Sequence, residues 1–283
     1  MAVLSLGAVA FFQRYQIVPR GTVLNTTNTI TPSTTANNIP TASTTEIAVV
    51  PVGILFSSAD ISEQTASFTI RAFYPVMSGG ESVVQSNFNN SVKTIVDKYI
   101  ADFKKDAAGG VVVSSSLSSF TWAYDIKQQD DNLVSVLMSG EEYVTGFAHP
   151  THPVTSFNYN LKTGQVINLD YLFKKDAKYL DWLSEYCRTK LNDRNVKNKF
   201  SDEAMIKAGT APKKENFSVF NLVSDGLIMT FSEYQVAPYV AGASTITIPW
   251  KDLSTMLDSN NSIKDWISKI IIPTSSAATS SLQ

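Results

Sequence analysis

The chain has 283 residues, 43% of them hydrophobic and 17% charged, with a formal net charge of -2. Abundant apolar and aromatic residues with modest Gly (13) and Pro (11) exclude a disordered or collagenous chain, and the near-neutral charge excludes nucleic acid as a partner, for want of a basic face. One cysteine, Cys187, and two histidines, His149 and His152, exclude a disulfide framework and an ordinary protein-only zinc site.

Met1–Phe12 is an uninterrupted apolar run ending at Gln13-Arg14-Tyr15. As a helix it would rise about 18 Å, short of the roughly 30 Å hydrocarbon core, and it lacks the basic start of a signal peptide. Residues 1–21 therefore read as an apolar membrane anchor or signal-like segment. In Thr22–Thr45, 18 of the 24 positions are Thr, Ser, Asn or Pro and none is charged, as expected of a solvated linker over 22–45. An apolar run, a tether and a globular body form the layout of a protein held at an extracytoplasmic surface.

The body opens with a strand-like run at Ile47–Phe56. A second run, Ala66–Tyr74, alternates Phe68, Ile70, Ala72 and Tyr74 with polar residues and stops at Pro75 and Gly79-Gly80. A long helix is predicted over Ser82–Lys105, where Phe88, Val92, Ile95, Val96, Tyr99, Ile100 and Phe103 make one apolar stripe. Strands follow at Phe120–Ile126, Leu133–Met138 and Val154–Leu161, joined by turns too short for parallel crossovers. A second helix carries Tyr179, Leu180, Trp182, Leu183, Tyr186, Cys187 and Leu191, so Cys187 reads as an inert core thiol. A short helix is expected at Asp202–Ala208. Phe217–Val223 and Leu227–Phe231 flank Ser224-Asp225-Gly226, a strong hairpin signal. A strand at Thr245–Pro249 and helices at Trp250–Leu257 and Ile263–Ile270 precede a polar tail, 273–283. The expected fold is α+β, with two subdomains (46–167 and 168–272), each an antiparallel sheet with helix packed on one face.

Two segments carry a resemblance. Glu141–Asp170 reads EEYVTGFAHPTHPVTSFNYNLKTGQVINLD, and Phe231–Pro249 reads FSEYQVAPYVAGASTITIP. In this order they resemble the paired extracellular domains of the PdaC/RsiV-like family, DUF4163 followed by DUF3298. Phe73-Tyr74-Pro75 and Asn90-Ser91-Val92 also fit the first domain's pattern, so the resemblance spans about Ala48–Ile272. It departs at Phe147, where the family has a second Gly, and at Pro150, His152 and Pro153. Family members occur beside polysaccharide-deacetylase domains, and as the outer part of an anti-sigma factor that binds lysozyme. The resemblance thus implies a non-enzymatic binding or sensing module of the bacterial envelope, with a lysozyme-like protein or a cell-wall glycan as its partner.

Several chemistries compete for the polar residues. His149 and His152, three apart in a Pro-flanked loop, have the ingredients of a metal site with Glu141, Glu142 or Asp125, but lack a third His or a second Cys. The alternative for His149 is a hydrogen-bonded post fixing the Thr145-Gly146 turn. Glu141 or Glu142 with Asp125 resembles a glycosidase pair, although adjacent strand residues face opposite ways and only one of the two can serve a given site. Tyr234, Pro238, Tyr239 and Gly242 form an aromatic stretch suited to stacking on a sugar ring or anchoring an interface, or else to capping the core. The candidate binding residues are Thr145, Gly146, His149, Tyr234, Pro238, Tyr239 and Gly242. No catalytic residue, metal or cofactor is assigned. The competing reading is a peptidoglycan-modifying enzyme using His149 and nearby carboxylates.

Overall fold

The computed structural model describes residues 53–109, 117–261 and 263–271. The expected anchor, linker and tail, and most of the Ile47–Phe56 run, lie outside the described residues. Six strands, β1 (Leu55–Gln64), β2 (Phe68–Ser78), β3 (Ser118–Gln129), β4 (Leu133–Tyr143), β5 (Val154–Asn160) and β6 (Gln165–Val166), form one sheet in sequence order. A second sheet orders β7 (Phe220–Val223), β8 (Gly226–Phe231) and β9 (Ser244–Pro249). The helices are α1 (Ser82–Gly109), α2 (Tyr179–Asn198), α3 (Glu203–Gly209), α4 (Trp250–Leu253) and α5 (Lys264–Ile271). The architecture is α+β, as the periodicities predict. No helix among the described residues is long and apolar enough to cross a membrane.

The first sheet departs from the expected pattern in one pairing. β2 and β3 run parallel, Phe68 opposite Ser118 through Ala72 opposite Trp122, while the other pairs are antiparallel. The connection between β2 and β3 contains α1, which is long enough for a crossover; the short turns that exclude one elsewhere do not apply here. Pro75 does not end β2, which continues to Ser78 opposite Leu55. Beyond Ala72 the strand has a partner on one side only, so an imino acid sits there as on any sheet edge. β1 itself is a polar, largely exposed edge strand that the hydrophobic pattern overlooks.

Val84, Phe88, Val92, Val96, Ile100 and Phe103 bury one stripe of α1. They pack on Ile70, Phe120, Trp122, Val136, Met138, Phe157 and Tyr159 in the first core. Asn89 pins the helix to β2 like a backbone segment: its Oδ1 accepts from Met77 N–H at 2.8 Å and its Nδ2 donates to Met77 C=O at 3.0 Å. The helix continues past Lys105, and Lys104, before its last turn, pairs with Glu63 of β1 at 2.6 Å. A second core gathers Leu183, Cys187 and Leu191 of α2, Ile206 of α3, Leu222, Leu227, Met229, Ile246, Ile248 and Trp250. Burial pushes the Cys187 thiol up to about 12, which keeps it protonated and unreactive.

The hairpin lies where Asp-Gly predicts it, shifted by one position. Ser224 and Asp225 form the turn and Gly226 pairs with Val223. Gly226 is required by contact with β9: a Cβ there would lie 2.1 Å from the Ile248 carbonyl oxygen. In this register the N–H groups of Phe220 and Leu222 face away from β8, and polar side chains from the first sheet satisfy them. Phe220 N–H donates to Ser156 Oγ at 2.9 Å and Leu222 N–H to Ser135 Oγ at 3.1 Å. Asn158 Nδ2 donates to Phe220 C=O at 2.8 Å, and Ser135 donates to Asn158 Oδ1 at 2.6 Å. β4 and β5 thus have an apolar face toward α1 and a buried polar face toward β7. That polar face joins the two sheets.

Candidate functional site

Two loops meet at one end of this joint. The first follows β4 and leads into β5, carrying residues 144–153; the second follows β8 and leads into β9, carrying residues 232–243. Their contact is a cluster of rings. The His149 and Tyr239 centroids lie 4.0 Å apart, His152 and Tyr239 5.9 Å, and Tyr234 and Tyr239 5.8 Å, all tilted by 31°. His149 Nδ1 donates to Pro150 C=O at 2.9 Å, which leaves Nε2 to accept from the Tyr234 hydroxyl at 3.2 Å. The post expected of His149 is real in kind but not in partner: its ring bonds reach Pro150 and Tyr234, not the Thr145-Gly146 turn.

The second loop is held rigidly. The Gln235 side-chain Oε1 accepts from Ser232 N–H at 3.0 Å, and its Nε2 donates to Gly209 C=O at 3.0 Å and Asn216 C=O at 2.9 Å. Ser201 donates to Val236 C=O at 2.6 Å, and Val236 and Ala237 are buried. Gly209 is glycine because the loop lies against it: a Cβ would meet Gln235 C=O at 1.9 Å. Between these anchors Tyr234 adopts φ 61°, a conformation unfavourable for a bulky residue, and the residue is 54% exposed.

Carboxylates flank the rings. Glu233, whose side chain is 10% exposed, accepts from His152 N–H at 3.2 Å and from His152 Nδ1. Glu141 Oε2 lies 3.6 Å from His152 Nε2, within ion-pair range but beyond a hydrogen bond. Strand alternation sends its neighbour Glu142 the other way, toward α1, where burial and then the charges of Asp106 and Asp102 push its carboxyl up. Partial burial, and then the charges of Glu233 and Glu141, push the Tyr239 phenol up. Asp125 is not part of this site. It pairs with Lys127 at 2.5 Å and sits four residues along β3 from Thr121, the partner of Glu141, about 13 Å at strand rise. Among the described residues no three His, Cys, Asp or Glu side chains are grouped to hold a metal.

Of the residues singled out from sequence, His149, Tyr234 and Tyr239 come together. Pro238 opens the 3-10 turn Tyr239–Ala241 that aims Tyr239, and Gly242 closes it at φ 64°. Thr145 is buried, its N–H bonded to Ser118 Oγ at 3.0 Å, and Gly146 turns the chain at φ 98°. Phe147, where the resemblance expects a second Gly, has no positive φ and so carries no left-handed backbone strain; the residue is 58% exposed. Sequence reading missed Glu233 and gave His152 no place among the binding residues. Their partnership crosses 81 positions, and a lone Glu inside FSEYQVAPY carries no signal of its partner.

Residues 170–251 match the family model described as "Protein of unknown function (DUF3298)". The match contains the second loop and its ring residues, whereas His149, His152 and Glu141 precede it. The chain is 28% identical over 183 residues to the peptidoglycan-N-acetylmuramic acid deacetylase PdaC of Bacillus subtilis, covering 64% of this chain and 37% of that protein. It is 29% identical over 104 residues to the esterase Rv3036c of Mycobacterium tuberculosis, covering 37% of this chain and 44% of that protein. The chain thus spans less than half the length of either curated relative. In fold it is similar to the crystal structure of a DUF3298 family member from Bacteroides fragilis, with a TM-score of 0.56 at 19% identity, covering 78% of this chain and 98% of that one.

Proposed function

We propose that this chain is a binding module of the bacterial cell envelope, acting outside the cytoplasm, and that its His149–Tyr234–Tyr239 face takes a peptidoglycan glycan strand. The observation that carries the reading is the ring cluster: three tilted rings, one of them belonging to a tyrosine 54% exposed on a strained and doubly anchored loop. Aromatic faces stack on the apolar faces of sugars, and a preformed ledge binds without ordering cost. The similarity to a protein named for peptidoglycan deacetylation supports this choice of ligand. The histidines support binding over hydrolysis. His149 Nε2 is taken by the Tyr234 hydroxyl, and both carboxylates face His152 instead.

Calorimetry with soluble peptidoglycan oligosaccharides tests the reading. Tyr239→Ala should weaken binding about three- to tenfold, the range expected for one aromatic contact, with the fold intact by circular dichroism. A lysozyme-like protein that binds through the same tyrosines, with no glycan binding, would replace the ligand. Turnover of acetylated glycan fragments that disappears in a folded His149→Ala variant would replace the binding reading with an enzymatic one.

A further inference from the structure

We propose that the Glu141 edge of this face selects aminosugars bearing a free amine over their N-acetylated forms. The inference rests on the glycan reading above and assigns its specificity. Stacked on Tyr239, a pyranose ring would direct its equatorial substituents sideways, into the margin of the ledge. That margin is acidic. Glu233 and Glu141 both act on the Tyr239 phenol, and among the described residues their ion-pair partner is His152 alone. Even a protonated His152 would leave two carboxylates facing one cation.

The two carboxylates play different parts. Glu233 is spent on structure, accepting both the backbone and the ring N–H of His152 while 10% exposed. Glu141 is 42% exposed, takes no hydrogen bond among the described residues, and stands beyond hydrogen-bond distance of His152. It is an open acceptor at the rim of a stacking surface. In mildly acidic buffer, the condition for the assay below, a free 2-amino group is an ammonium, with three donors and a charge for that acceptor. An N-acetyl group presents a neutral amide and a methyl, which would strip water from the carboxylate without supplying a charge in return. The same rim repels an acidic substituent, so a sugar carrying a carboxylate beside its amine gains less.

The test uses the full chain with chemically defined glucosamine oligomers and N-acetylglucosamine oligomers of equal length, in mildly acidic buffer at low salt and at 0.5 M sodium chloride. The glucosamine oligomer should bind about two- to fivefold tighter at low salt, the range for one exposed ion pair. The gap should close at high salt, and Glu141→Gln should abolish it. Tyr239→Ala should weaken both ligands. Equal affinity for the two, tighter binding of the acetylated oligomer, or a preference that survives Glu141→Gln overturns the selectivity while leaving glycan binding in place. Glucosamine binding that survives Tyr239→Ala is diffuse charge attraction and also overturns it. No binding of either oligomer removes the glycan reading itself, and the inference with it.

Discussion

Replacing Asn158 by alanine should cost far more than the loss of one polar side chain. Asn158 is 2% exposed and lies between the sheets, with Nδ2 on the Phe220 carbonyl at 2.8 Å and Oδ1 receiving the Ser135 hydroxyl at 2.6 Å. A longer contact of 3.4 Å comes from Leu222 N–H. Truncation leaves two buried groups without these partners, the Phe220 C=O and the Ser135 O–H, at about 1–3 kcal/mol each. Allowing for the amide's own desolvation, the expected loss is about 2–4 kcal/mol. The assay is urea unfolding followed by circular dichroism and tryptophan fluorescence, with the midpoint falling at nearly constant slope. Ser135→Ala removes the acceptor for Asn221 Nδ2 at 2.9 Å and Leu222 N–H at 3.1 Å. The double variant should therefore cost less than the sum of the singles, by about 1 kcal/mol or more. A loss under about 0.5 kcal/mol for Asn158→Ala, or strict additivity with Ser135→Ala, would refute the claim that this network joins the sheets.

Two further outcomes follow from the geometry. Gly209→Ala places a Cβ 1.9 Å from a backbone oxygen of the Tyr234 loop; it should cost about 1–3 kcal/mol through forced backbone movement, read as a lower melting temperature together with weakened glycan binding. Glu142 has its carboxyl raised by burial and by the charges of Asp106 and Asp102. A raised group contributes stability at pH below its unfolded value and loses it as pH rises through the folded one. Glu142→Gln should therefore stabilise the protein at pH 7 and make no difference at pH 3, measured by thermal unfolding across that range.

What could be read from sequence was whatever repeats locally. The α1 stripe, the alternation of β3 and the Asp225-Gly226 hairpin each express a period of 3.6 or 2, or a turn preference, and each lies within a residue or a few of its expected place. β1 was unreadable because an exposed edge strand, LFSSADISEQ, needs no apolar face. The parallel β2–β3 pair was missed because short turns elsewhere in the sheet made antiparallel pairing look general. The site was half readable. Aromatic content marked Tyr234 and Tyr239, and the Pro-flanked loop marked His149. The clamp between His152 and Glu233 depends on two loops from different sheets meeting, which no local pattern encodes.

That meeting explains why a strained residue can persist at the centre of the site. A tyrosine at φ 61° costs about 1–2 kcal/mol relative to ordinary backbone. An isolated loop would relax it. Here Gln235 bonds to two carbonyls of the body, Ser201 holds the Val236 carbonyl, Gly209 admits the chain at close range, and Glu233 on the other side grips His152. The strain is sustained by bonds in both directions along the chain, so Tyr234 is held outward before any ligand arrives. A ledge fixed in this way loses little entropy when a weak, flat ligand lands on it. It also depends on the polar joint: if β7 slips on β4 and β5, the two loops separate and the rings no longer share a face. Stability at Asn158 and binding at Tyr239 are for that reason coupled quantities, and a variant that loosens the first should weaken the second although the two side chains make no contact with each other.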